Sequence, residues 1–481
     1  MKLLRHTFFN LIGLGAPLLL AVVTIPVLIH ELGPSRFGLL TLIWAVVSYF
    51  GLFDLGLGRA LTQQLAVVFA NQDHQKIGPL VGTATVLMAL LGVVAGVLMA
   101  AAAPWGVGLI HDVPDRQEAI NAVFAMALAM PFIVLTSGFR GILEARHAFE
   151  IVNLIRLPMG VLTFLGPLLV VRYGSAPRLD HIAWVLVAGR VIACVVHSYY
   201  AWHVLPKDSS AIAFRIDLLK PLCVSGGWMT VSNIVGPLMG YLDRFVVGAF
   251  ASAQALAYYA TPQEIISKLS IVPSALMAVL FPQFAQINKS FSQTTIETLE
   301  RAASVTIALC TPAFLLIALF SNELLSTWID LRFAQSAAGI LALMASGMLI
   351  NSISFIPLTW LQATNHSKKV ALIHVIELPL FCLLLWVGLR EFGIEGAAAA
   401  WVVRILVDAC LLWLTLAGLD HRLAEFAKKY LLQSICLGGL IYISTLMNFS
   451  SIFKLSFVFI VMVYFTFRLI KIFGFERQAN V

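Results

Sequence analysis

The sequence predicts an all-α polytopic membrane protein of about fourteen transmembrane helices, and three observations predict it. Of its 481 residues, 60% are hydrophobic and only 11% are charged, whereas charge makes up about a quarter of a soluble domain. Mean hydropathy is +0.93. Apolar runs of about 20 residues, each long enough to cross hydrocarbon, recur from Phe8 to Ile470. The net charge of +7 is spread over short loops between these runs. Nucleic acid is therefore not a partner, since a binding surface would gather the basic residues into one patch.

Taken in order, the first element is an apolar run behind the basic stretch Met1 to His6. A signal peptide would end in a small-x-small cleavage site. This run instead continues to Ile29 through Asn10 and Pro17 and reads as span one, residues 7–29. The second run, 37–70, exceeds one bilayer thickness and must tilt, kink or emerge. Spans at 79–103, 118–140, 152–172 and 181–203 complete an N-terminal six-helix lobe, residues 1–205. Residues 206–219 read as a cytoplasmic linker. Runs at 220–250, 254–282 (again over-long), 302–321, 335–362, 370–389 and 396–418 form a second six-helix lobe, 220–419. Two additional helices, 430–447 and 453–470, lie within the C-terminal segment 420–481.

Lys and Arg placement gives the topology, because cytoplasmic loops carry the excess. With the N-terminus inside, eighteen basic residues fall on the cytoplasmic side, among them Lys76, Arg146, Arg215, Lys368 and Lys429. Seven fall outside: Arg36, Arg116, Arg172, Arg178, Arg332, Arg390 and Lys454. Both termini are thus placed in the cytoplasm. The six cysteines all sit in or beside apolar runs with no CxxC spacing and read as packing residues.

No nucleotide-binding loop, GxSxG, HExxH or Cys/His cluster occurs in the chain, so a resident metal and ATP hydrolysis are not expected. A membrane-embedded glycan polymerase or transferase would need a sizeable external loop, and the longest outer segment, Ala103 to Asn121, is short.

The informative residues are ionisable groups at membrane depth, which cost at least ~2.5 kcal/mol each unless paired or wetted. The cations are Arg59, Arg156, Arg190, Arg244, Lys268 and Arg404; the anions are Asp54, Asp243, Glu264, Glu377 and Asp408. Glu264 with Lys268, and Arg404 with Asp408, are i,i+4 pairs that can neutralise one another on one helix face. Arg156 lies near a span end and can snorkel. Arg190 is about nine residues into its span with no acid within a turn, so it must face another helix or an aqueous cavity. Asp243 and Arg244 project about 100° apart, so at least one should look inward. Arginines around a cavity suit an anionic cargo such as phosphate or pyrophosphate. The acids Asp54, Asp243, Glu264, Glu377 and Asp408 could instead bind H+ or Na+ and couple transport to an ion gradient, or simply form ion pairs. Pro17, Pro26, Gly56, Gly58, Pro237, Gly240, Pro262 and Pro273 interrupt the helices and supply bending points.

Four local patterns carry a resemblance: Asn10-Leu11-Ile12-Gly13 in span one, Leu32-Gly33-Pro34-Ser35-Arg36-Phe37-Gly38-Leu39 before span two, Asp54-Leu55-Gly56-Leu57 within it, and Asp243-Arg244-Phe245-Val246-Val247-Gly248 followed by Tyr258-Tyr259-Ala260. With them the sequence resembles the polysaccharide and O-antigen flippases of the multidrug/oligosaccharidyl-lipid/polysaccharide exporter superfamily. That resemblance implies two six-helix bundles around a central cavity, plus two C-terminal helices. It also implies a lipid-linked anionic oligosaccharide, carried on undecaprenyl pyrophosphate, as cargo in a bacterial inner membrane. Membrane lipids, a glycan polymerase and chain-length machinery would be the partners, with no cofactor beyond a coupling H+ or Na+. The cationic lumen that the family implies would draw on Arg59, Arg190, Arg244, Lys268 and Arg404. The alternatives within transport are a cation-coupled multidrug exporter and a peptidoglycan lipid-precursor flippase.

Overall fold

A computed structural model describes residues 2–50, 56–146, 148–174, 176–206, 211–220, 222, 239–286, 293–364, 366–447 and 449–479. Among these residues there is no strand. The helices are α1 (Lys2–Phe50), α2 (Leu57–Ala70), α3 (His74–Leu109), α4 (Arg116–Ala145), α5 (Phe149–Tyr173), α6 (Leu179–Val204), α7 (239–250), α8 (Ala253–Leu269), α9 (Ile271–Gln286), α10 (Gln293–Leu319), α11 (Ser321–Trp328), α12 (Leu331–Ala363), α13 (Ser367–Ala417), α14 (His421–Leu446) and α15 (Ser451–Ala479). A 3₁₀ turn covers Ile216–Leu218.

Among the described residues, ten helices are long and apolar enough to cross a membrane, and together with α2, α7, α8 and α9 they answer to the expected fourteen spans as follows. α13 runs through both the eleventh and twelfth, turning at Gly393. The over-long second run is divided between the end of α1 and α2, and the eighth is broken at Ser270 into α8 and α9. Of the seventh, only 220, 222 and 239–250 are described. Two breaks are shorter than the apolar pattern suggests. The outer segment is reduced to Ile110–Asp115 because α3 and α4 run on past the apolar limits, and α10 begins at Gln293, well before Arg301. Polar residues there continue the helix, since backbone hydrogen bonding does not depend on hydropathy.

The chain divides into two compact units, Met1–Ala257 and Tyr258–Val481. In the first, α4 packs against α2, α3 and α6. Small residues permit this. A Cβ on Gly96 of α3 would lie 2.6 Å from the Ala127 carbonyl oxygen, and one on Gly141 of α4 would lie 2.7 Å from that of Gly58. Close backbone approach of this kind holds helices together where lipid removes the hydrophobic drive. α1 packs on α5, with Trp44 edge-on to Phe164 at 5.2 Å. α1 bends at Gly33, whose φ of 74° and ψ of 158° are accessible essentially to glycine alone. Residues 211–215 of the linker cross α3, where the Arg215 backbone N–H donates to Thr83 Oγ1 at 2.9 Å.

In the second unit α12 is the spine, touching α9, α10, α11, α13 and α14. Of its most apolar stretch 78% is buried, against 11% for α15, which therefore lies at the periphery with Phe453, Phe457, Phe459 and Phe467 exposed. Lys454 ties α15 to α11 by donating to Glu323 at 2.8 Å. Burial by itself would raise the Glu323 carboxyl, but the Lys454 hydrogen bond, a backbone hydrogen bond and the Lys454 charge together outweigh it and hold that carboxyl below its ordinary range.

Candidate functional site

The described charged residues singled out in the sequence fall at six places. Arg59, in the first turns of α2, is exposed, while Arg190 in the middle of α6 is half-buried. Arg156 on α5 is exposed. Asp243 and Arg244 on α7 are both buried, with 0% and 2% exposure. The Arg244 backbone N–H donates to Asp243 Oδ1 at 2.9 Å, and its guanidinium lies over the Tyr241 ring, 5.1 Å from the centroid. That placement favours a cation through the ring quadrupole. On α8, Lys268 Nζ lies 3.3 Å from Glu264 Oε2, one turn away. Asp54 falls outside the described residues.

The sixth place brings three of these residues together. Within α13, Gly393 adopts φ 61° and ψ −145°, which reverses the helix. A Cβ on Gly396 would overlap the Gly388 carbonyl oxygen, so the two halves meet backbone to backbone and their register is fixed. Seven residues back from Gly388 and eight forward from Gly396, Phe381 faces Arg404, whose guanidinium stands 5.4 Å from the ring centroid. Eleven back and twelve forward, Glu377 meets Asp408. The acid of the second half thus finds its neighbour across the hairpin, and the expected i,i+4 ion pair with Arg404 is not formed, the guanidinium being turned over Phe381 instead.

Sequence reasoning missed His374, whose Nε2 lies 3.6 Å from Asp408 Oδ1. Its position one turn before Glu377 on the same face was the available signal. It also missed Glu118, which is 1% exposed at the start of α4. Glu118 Oε2 accepts from Arg36 Nε at 3.2 Å and Nη2 at 3.1 Å, and its Oε1 accepts from the Leu179 backbone N–H at 2.5 Å. One carboxylate thereby joins the ends of α4 and α6 to α1 beyond its bend. Asp115 caps α4 by accepting from the Gln117 and Glu118 backbone N–H groups.

Close to that junction the first unit encloses a cavity of about 290 Å³. Leu42, Met99, Val107, Met126 and Phe245 are among its lining residues, none of which is ionisable. The cavity therefore suits hydrocarbon, and the buried arginines are not gathered around it.

The description of polysaccharide biosynthesis proteins matches residues 3–288 of this chain. The chain belongs to that family. Family membership agrees with a relative from Shigella flexneri that carries the name "Putative O-antigen transporter". It is 30% identical over 416 residues, covering 86% of this chain and 98% of the relative. Two solved structures share the fold. One is an inward-facing multidrug resistance MATE transporter of the MOP superfamily, with a TM-score of 0.68, 16% identity, and coverage of 88% of this chain and 96% of that one. The other is the lipid II flippase MurJ in an inward closed conformation, with a TM-score of 0.64, 13% identity, and coverage of 92% and 99%. The polytopic all-α architecture of this family member is thus shared along nearly its whole length.

Proposed function

We propose that the protein is a flippase for a lipid-linked oligosaccharide, an O-antigen or exopolysaccharide repeat unit carried on undecaprenyl pyrophosphate. It turns the head group from the cytoplasmic to the periplasmic leaflet of a bacterial inner membrane by alternating access. The observation that carries this reading is the match to an O-antigen transporter over 98% of that relative's length, within a family of polysaccharide biosynthesis proteins. The charge chemistry supports it: Arg190 and Arg244 lie within spans, and a guanidinium keeps its charge in a low dielectric and grips phosphate oxygens bidentately. Arg59 adds a cation for the sugar-pyrophosphate head, while the prenyl tail stays in lipid. Both termini lie in the cytoplasm, an H+ or Na+ gradient drives the cycle, and the delivered glycan passes to a polymerase with its chain-length machinery.

The test is Arg190→Ala in cells lacking the native protein. Surface glycan should be lost while the protein is retained in the membrane. Normal surface glycan at matched protein level would overturn the role of Arg190. Unpolymerised cargo accumulating on the outer leaflet without the protein would identify a polymerase instead.

A further inference from the structure

The α13 hairpin buries two carboxyl groups face to face. Glu377 is 1% exposed and Asp408 is 8% exposed. Glu377 lies ten residues from Ser367 and Asp408 nine from Ala417, so both stand about 15 Å of helix from the ends of the hairpin. Among the described residues no donor reaches either Glu377 oxygen or Asp408 Oδ1. Two carboxylates offer only acceptors to one another. An unpaired carboxylate in so apolar a place carries a large desolvation penalty.

The surrounding charges are few. Arg404 is the cation that acts on Glu377, and it is aimed across Phe381 with its Nε unpartnered. His374, half-buried, approaches Asp408 at 3.6 Å from the Ser367 side. α12, which packs along the hairpin, carries Arg332 near its start as its sole ionisable residue. On α14, the other neighbour, Tyr430 is buried, but it packs against Phe426 and Lys429. His421, Arg422, Glu425, Lys428 and Lys429 lie in the first turns of α14, near its N-terminus, and Cys436 and Tyr442 lie farther along it. Among the described residues one guanidinium, that of Arg404, faces the pair and balances one carboxylate. The second carboxyl is electrically neutral only if it holds a proton, and that same proton supplies the donor the pair lacks.

Resting on the flippase reading above, we propose that Glu377 and Asp408 form a shared proton-binding site inside the α13 hairpin, and that loading and unloading this proton couples the ion gradient to transport. A proton suits the site better than Na+. No group of three or more His, Cys, Asp or Glu side chains with the spacing of a metal site occurs among the described residues, and Na+ would have to sit beside a guanidinium. The protonated pair with Arg404 is neutral and stable in a dry hairpin. Loss of the proton leaves one net negative charge, which favours hydration and an opened arrangement. His374 stands between Asp408 and the Ser367 end of the hairpin, where it can relay the proton.

The experiment is infrared difference spectroscopy of the full-length protein in lipid nanodiscs, titrated from about pH 5 to about pH 9. A protonated-carboxyl band that titrates in this range is expected in the parent protein, lost in Glu377→Gln, and altered in position or midpoint in Asp408→Asn. An unchanged band in both folded variants would overturn the site. Loss of the band on adding Na+ at constant pH would overturn the proton in favour of a metal cation. No cargo is present in this measurement, so failure of the flippase reading would leave it unaffected. In cells, Glu377→Gln should lose surface glycan at matched protein level. Full export by that variant, with the band gone, would overturn the coupling role while sparing the flippase reading.

Discussion

At the scale of single residues, the deciding quantity is whether a buried charge has a partner. Glu118 shows the satisfied case: one carboxylate accepts from the Arg36 guanidinium and the Leu179 backbone N–H. Hydrogen bonds to charged groups contribute about 1.5–3 kcal/mol, and a stranded buried donor costs a comparable amount. Glu118→Ala should therefore destabilise the protein by about 2–3 kcal/mol. Arg36→Ala, at the more exposed partner, should cost less. The double variant should fall short of the sum by about 1 kcal/mol, because each single change already breaks the shared contact. Denaturation in detergent measures all three, and strict additivity would show that the pair is not coupled. Glu377 shows the opposite case, a buried acid for which the only available neutral form carries a proton. Arg190 could be singled out from sequence because no acid lies within a turn of it. Glu118 could not, because its partners are 82 and 61 residues away.

At the scale of elements, glycine conformation sets where helices turn. Gly33 and Gly393 both occupy backbone regions closed to residues with a Cβ, and each lies in the short break between two apolar runs. Gly393→Ala should cost about 1–3 kcal/mol and displace the register that sets Glu377 against Asp408. The check is a lower melting temperature together with a changed titration of the carboxyl band. An unaltered protein would show that this turn does not hold the register. The prolines inside α3, α4, α5, α8, α10, α12 and α13 leave those helices continuous, as membrane helices tolerate when neighbours satisfy the freed carbonyls.

At the scale of the whole molecule, helix lengths and basic-residue bias set the relation to the membrane. α3 and α12, with 36 and 33 residues, extend about 50 Å at 1.5 Å per residue, beyond a hydrocarbon core of about 30 Å, so their ends emerge or they tilt. The excess of Lys and Arg on one side makes a direct prediction for a cysteine-free protein in intact cells. A single cysteine replacing Arg116, exposed at the start of α4, should react with an impermeant maleimide from outside. One replacing Lys368, exposed at the start of α13, should react only after permeabilisation. The reverse pattern would invert the topology. Sequence by itself determined the membrane class, the span count and the ionisable residues at depth, because hydropathy and charge are properties of each residue and its near neighbours. Only tertiary structure decided which of those charges meet. The Glu377–Asp408 pairing depends on a glycine-to-glycine contact across a hairpin, and the burial of Glu118 depends on three helix ends converging. Both are distances between residues far apart in the chain, which local pattern does not encode.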